Sequence, residues 1–156
     1  MNSIWNDVTL HLHDGRRVSA ADHLANKHVI LYFTASWCQP CKQVTPVVKQ
    51  LYQEMKKDDV QVEFVAVFFD KFHYMMENYY KEIGCDWAYI PLRDPAIEKL
   101  ESTFNIESMP SVIVINRDGT EYHKQQATMS DLLIRWNMIS NAYSWRSPYS
   151  PVTVLQ

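Results

Sequence analysis

The 156-residue chain reads as an α/β protein, a three-layer sandwich with a central mixed β-sheet and helices on both faces. Three observations predict this. Residues 29–33 and 65–69 are continuous apolar runs rich in β-branched and aromatic residues, as expected of strands buried on both sides. Each run is followed by a segment whose apolar residues recur at helical spacing. Residues 111–116 and 120–123, joined around Asp118-Gly119, read as a hairpin, so an antiparallel pair sits at one edge of the sheet.

In chain order, residues 8–13 alternate apolar and polar, Asp14-Gly15 turns the chain, and residues 16–18 return as a second short strand. Ser19 can cap a brief helix through residue 25. After the strand at 29–33, Val44, Val47, Val48, Leu51, Tyr52 and Met55 mark a long helix. Pro46 inside it removes one hydrogen bond and is expected to kink it. Residues 60–69 read as a long strand that alternates at first and is then buried on both faces. Asp70 is placed to cap the next helix, whose stripe of Phe72, Met75, Met76, Tyr79, Tyr80 and Ile83 reads as core packing up to Gly84. Residues 87–92 are extended and interrupted by Pro91. Asp94-Pro95 opens a helix to residue 104, which Asn105 suits as an end. Past the hairpin, Thr128 and Asp131 resemble a capping box for a last helix with Leu132, Leu133, Trp136 and Ile139 inward. Residues 1–140 form one domain, and 141–156 a C-terminal tail without helical periodicity.

Composition narrows the function. A net charge of −3 lacks the clustered Lys and Arg that nucleic acid or an anionic membrane would require. No basic stretch with a following apolar run opens the chain, and its apolar runs are too short to span a bilayer. Gly15, Gly84 and Gly119 are the only glycines, none in a phosphate-cradling loop. Three cysteines do not make a secreted disulfide framework, so the expected setting is the cytoplasm, with the nucleus as the alternative.

Chemistry concentrates at Trp37-Cys38-Gln39-Pro40-Cys41, where the strand 29–33 passes into the long helix. Cys38 falls at the helix N-terminus, whose unpaired N–H groups favour a thiolate over a thiol. Pro40 fits the first turn, where its missing N–H costs nothing. Cys41, one turn on, can attack a mixed disulfide formed at Cys38. A zinc half-site is the rival reading, but no second Cys/His pair at ligand spacing exists. His11, His13, His23 and His28 read as surface or edge residues, and no metal is expected. Cys85 reads as a buried small apolar residue that exchange does not need.

Residues 33–41, Phe33-Thr34-Ala35-Ser36-Trp37-Cys38-Gln39-Pro40-Cys41, followed by Thr45-Pro46, resemble the active-site segment of the thioredoxin superfamily, in particular its tryparedoxin and nucleoredoxin branch. Tyr32 stands where ordinary thioredoxins carry a buried Asp, as in that branch, and Trp87-Ala88-Tyr89-Ile90-Pro91-Leu92 is similar to a segment of it. The resemblance runs from about residue 25 to residue 122 and is weakest in the tail. It implies a thioredoxin-like fold and a substrate-binding surface made by Trp37, Gln39, Pro40, Met109 and Pro110. It also implies a cis bond before Pro110 facing the nucleophilic thiol, and places Trp87 near the active-site face, with a core role as the alternative.

The implied function is a thiol–disulfide oxidoreductase that reduces protein disulfides, with Cys38 attacking and Cys41 resolving. No cofactor is required, and electrons come from a reductase or a small-molecule thiol. The alternative is a redox-dependent binding protein of nucleoredoxin type with little turnover. Tyr32 in place of a buried acid bears on that alternative, because it weakens the usual route for deprotonating the resolving thiol and so implies slower turnover.

Overall fold

The computed structural model describes residues 4–57, 61–84, 86–115 and 121–126. Thr9–His11 (β1) and Arg17–Ser19 (β2) pair antiparallel as the expected hairpin. Gly15 makes the turn at a φ of 90°, a left-handed value that suits glycine. Ser19 caps Ala20–His23 (α1), its hydroxyl accepting the Asp22 N–H at 3.4 Å. His28–Thr34 (β3) leads into Gln39–Lys57 (α2), which continues through Pro46. Val62–Phe68 (β4), His73–Ile83 (α3), Ala88–Ile90 (β5), Pro95–Thr103 (α4), Ser111–Ile115 (β6) and Glu121–Gln126 (β7) complete the described elements.

The seven strands form one sheet in the order β2-β1-β5-β4-β3-β6-β7. β3, β4 and β5 run parallel, whereas the pairings β5–β1 and β1–β2 on one side, and β3–β6 and β6–β7 on the other, are antiparallel. The sheet is therefore mixed, with the β6–β7 hairpin at its edge. Strand alternation sorts the core into two layers. Ile30, Tyr32, Phe64, Ala66 and Phe68 face α2 and α3, whereas Leu31, Phe33, Val65, Val67 and Ile113 face α1 and α4. Trp5, which carried no sequence signal, is buried in the second layer.

Several expectations need correction. Residues 87–92 hold a true strand: Ala88–Ile90 pairs parallel with β4 and stops where Pro91 would fail to donate. The first half of β4 is as buried as its second, because Glu63, which looked solvent-facing, is enclosed by Lys27, Lys56 and His23. His28 is likewise buried at the start of β3. Asp70 does not cap α3, which starts at His73 behind Phe72 with no side-chain cap. Of the α3 stripe, Met76, Tyr79 and Ile83 are core, but Phe72 and Met75 at its start are exposed. Asp94 does cap α4, accepting the Ala96 N–H at 2.9 Å. Residue 60, Cys85, the 118–119 turn, the helix expected from residue 128 and the tail lie outside the described residues.

Candidate active site

The site stands at the C-terminal end of β3, a central strand hydrogen-bonded on both sides. After Thr34 the chain turns, the Cys38 N–H bonding the Ala35 carbonyl at 3.2 Å, and α2 begins. Cys38 occupies the cap position. Its carbonyl accepts the Lys42 N–H at 3.2 Å, and its sulfur accepts the Cys41 N–H at 3.2 Å. A cap side chain ordinarily bonds the second or third N–H of its helix. Here the second residue is Pro40, which has none, so the bond falls to Cys41. The sulfur thus takes the place that Ser or Asp oxygen takes at other helices, where negative charge is favoured.

Cys38 and Cys41 are joined in a disulfide with their Cα atoms 5.2 Å apart. Cys38 is 5% exposed and Cys41 0%, so Cys38 is the sulfur nearer solvent, though neither is openly exposed while the bridge is closed. Phe69 and Met109 pack over the cluster of Ala35, Cys38 and Cys41. The Met109–Pro110 bond is cis, and Pro110 is buried beside the end of β3 because Ser111 pairs with Phe33. Gln39 and Pro40 are exposed. Trp37 is 59% exposed, its indole N–H donating to the Phe69 carbonyl at 3.4 Å. Of the residues tied to the site by resemblance, Trp87 does not line it: it is 1% exposed, stacked on Phe64 in the core.

Sequence reasoning missed two features. One is Asp70, at the end of β4, whose carboxylate accepts the Ser36 N–H at 3.2 and 3.3 Å and also the Ser36 hydroxyl. It is 8% exposed and ties the turn before Cys38 to the neighbouring strand. Asp70→Ala is expected to destabilise the fold by about 1–3 kcal/mol by stranding those donors. Urea denaturation measures it, and an unchanged midpoint would refute the tie.

The other is a chain of four hydroxyls under Cys41. Thr45 Oγ1 donates to the Cys41 carbonyl at 2.8 Å and lies 2.8 Å from both the Tyr32 and the Tyr79 hydroxyls; Tyr79 lies 2.9 Å from Thr34 Oγ1. Each hydroxyl owns one hydrogen. With that of Thr45 on the carbonyl, Tyr79 donates to Thr45 and Thr34 to Tyr79, while the Tyr32 hydroxyl faces both Thr45 Oγ1 and the Cys41 carbonyl, the latter at 3.4 Å. Burial pushes both phenols above the usual tyrosine range, so they remain neutral donors. The uncharged Tyr32 noted in the sequence is therefore part of a connected set.

Among the described residues no group of three or more His, Cys, Asp or Glu is placed to hold a metal. Among them, too, no helix is long and apolar enough to cross a membrane.

The Thioredoxin-like family model matches residues 26–121. Tryparedoxin of Trypanosoma brucei brucei is 34% identical over 96 residues, which cover 61% of this chain and 65% of that one. Probable nucleoredoxin 1 of Arabidopsis thaliana is 28% identical over 112 residues, covering 72% of this chain and 19% of its own, so the chain spans about a fifth of that relative. Among solved structures, a thioredoxin from Wuchereria bancrofti superposes with a TM-score of 0.75 at 34% identity, covering 88% of this chain and 99% of that one. The cysteine pair at the head of α2, the mixed sheet that carries it and the match over residues 26–121 together place the chain in the Thioredoxin-like family.

Proposed function

We propose that the chain reduces protein disulfides, with Cys38 as the attacking thiolate and Cys41 as the resolving thiol. The observation that carries this reading is the Cys41 N–H set on the Cys38 sulfur at the start of α2. Once the bridge is reduced, that bond and the helix terminus favour Cys38 as the thiolate. Cys38 attacks one client sulfur and the other leaves as a thiolate. Cys41 then loses its proton and attacks the Cys38 sulfur, closing the bridge and releasing the second client thiol. Two electrons pass to the client. A separate reductase or a small-molecule thiol restores the dithiol, and no cofactor takes part.

Support for polypeptide clients comes from the surface around the bridge. Trp37, Phe72, Tyr74 and Met75 are exposed; Trp37 stands in the connection after β3, and the other three at the start of α3, which follows β4. Large apolar side chains gathered at one end of a sheet suit an extended polypeptide. Met109, half-buried against the cysteines, adds a pliable contact, and the Met109–Pro110 backbone is read as the edge along which the client lies, with Gln39 and Pro40 bordering it. The setting that goes with this chemistry is the cytoplasm or nucleus, where thiols are kept reduced.

The test is reduction of a model protein disulfide, such as that linking the insulin chains, with dithiothreitol as the electron source. Catalytic turnover above the dithiothreitol background is expected. A folded protein that shows none, yet forms a stable complex with one client only when reduced, would replace this reading with redox-dependent binding.

A further inference from the structure

The hydroxyl chain converges on the Cys41 carbonyl, and the N–H of the same residue ends on the Cys38 sulfur. The Cys41 backbone is thus held at both polar groups. We propose that Thr45 and Tyr79 are positioning residues for the dithiol: with Tyr32 and Thr34 they hold the Cys41 backbone so that its N–H stays aimed at Cys38, and so set the acidity of the Cys38 thiol. This rests on Cys38 being the nucleophile.

Local helix structure strengthens the case. In an uninterrupted helix residue 46 would donate to the Lys42 carbonyl, but Pro46 has no N–H, so the turn after Cys41 lacks one backbone bond. The Thr45 hydroxyl supplies a bond in that same turn. The two tyrosine hydroxyls bonded to it anchor it to β3 and α3, elements that do not depend on the helix terminus for their own order. Tyr79 thereby links α3 to the redox turn, a role that its place in an apolar stripe did not suggest. The charged groups around this turn are Asp70, bonded to Ser36, and Lys42 and Glu82, which border the groove that Thr45 and Tyr79 line. All three are retained in the variants below, and the tyrosines carry no charge.

The experiment follows the rate of Cys38 alkylation by iodoacetamide against pH in the reduced full chain, with the labelled residue assigned by mass spectrometry. Thr45→Val is expected to raise the Cys38 pKa by about half to one unit, a roughly three- to tenfold loss of thiolate below both pKa values. Thr45→Ser keeps the hydroxyl and is expected to stay near wild type. Tyr79→Phe removes one donor to Thr45 and is expected to shift the pKa the same way by less. A purely structural role lowers the melting temperature of Thr45→Val and leaves the Cys38 pKa alone, and that result overturns the proposal. Should Thr45→Val not fold, Tyr79→Phe decides: a raised pKa supports the proposal, an unchanged one refutes it. An acidic wild-type Cys38 indifferent to these variants leaves the functional reading intact; failure of the insulin assay does the reverse.

Discussion

Cys41→Ser is expected to stop multiple turnover and leave the client bound to Cys38 as a mixed disulfide. The first attack needs only the Cys38 thiolate, whose helix terminus is intact in this variant. Release needs a second sulfur one turn away, and the 5.2 Å between the Cα atoms is the separation that allows the bridge to close. Serine cannot supply that sulfur. The rate is expected to fall by a factor on the order of 10³, because groups that act as a unit are lost together when one is removed. Cys38→Ser is expected to lose as much while capturing nothing. Non-reducing electrophoresis separates the two: an adduct with Cys41→Ser that disappears on reduction, and none with Cys38→Ser. Wild-type turnover by Cys41→Ser would show instead that Cys38 works alone with an external thiol.

Trp87→Ala is expected to cost about 3–5 kcal/mol, a large part of the roughly 5–15 kcal/mol that holds a domain of this size. Its indole stacks on Phe64 at 5.8 Å with the planes 5° apart, and Tyr52 and Tyr32 approach at 5.9 and 6.1 Å. Removing it leaves a cavity among rings that cannot close over it. Trp87→Phe is expected to lose much less, since it keeps a ring and discards an indole N–H that has no hydrogen-bond partner among the described residues. Urea denaturation monitored by far-ultraviolet circular dichroism gives both values. If Trp87→Ala kept its stability but lost client reduction, the residue would belong to the client surface after all.

The outcome at Trp87 shows where sequence patterns stop being informative. Strand runs, helical stripes and the Cys-x-x-Cys join are local, and local periodicity places them: β3, α2 and the cap position of Cys38 stand where residues 29–41 put them. Trp87 lies one residue before a strand of three, too short for alternation to say which face it takes. Asp70 followed a strand and preceded a helix, which is how a helix cap looks in one dimension. Its actual partner, Ser36, is 34 positions away and is brought near only because β3 and β4 are neighbours. The hydroxyl chain joins residues 32, 34, 45 and 79 from three elements. Each of these looked ordinary in its own segment, two in strands and two in helices. Glu63 broke the expected alternation for the same reason, since its neighbours Lys27, Lys56 and His23 come from other parts of the chain.

The N-terminal hairpin lies outside the stretch matched by the family, yet it changes how the domain meets other molecules. Without it, β5 would present a bare row of backbone donors and acceptors, open to pairing with any exposed strand, including that of a second copy. β1 covers β5 through the His11–Tyr89 pair, so the boundary on this side passes to β2. That strand is only three residues long, carries an exposed Arg17, and runs directly into α1. A short, charged border of this kind is a poor template for polymerisation. Under the proposed function, extended clients are received at one end of the sheet, and this border guards against receiving them along its side.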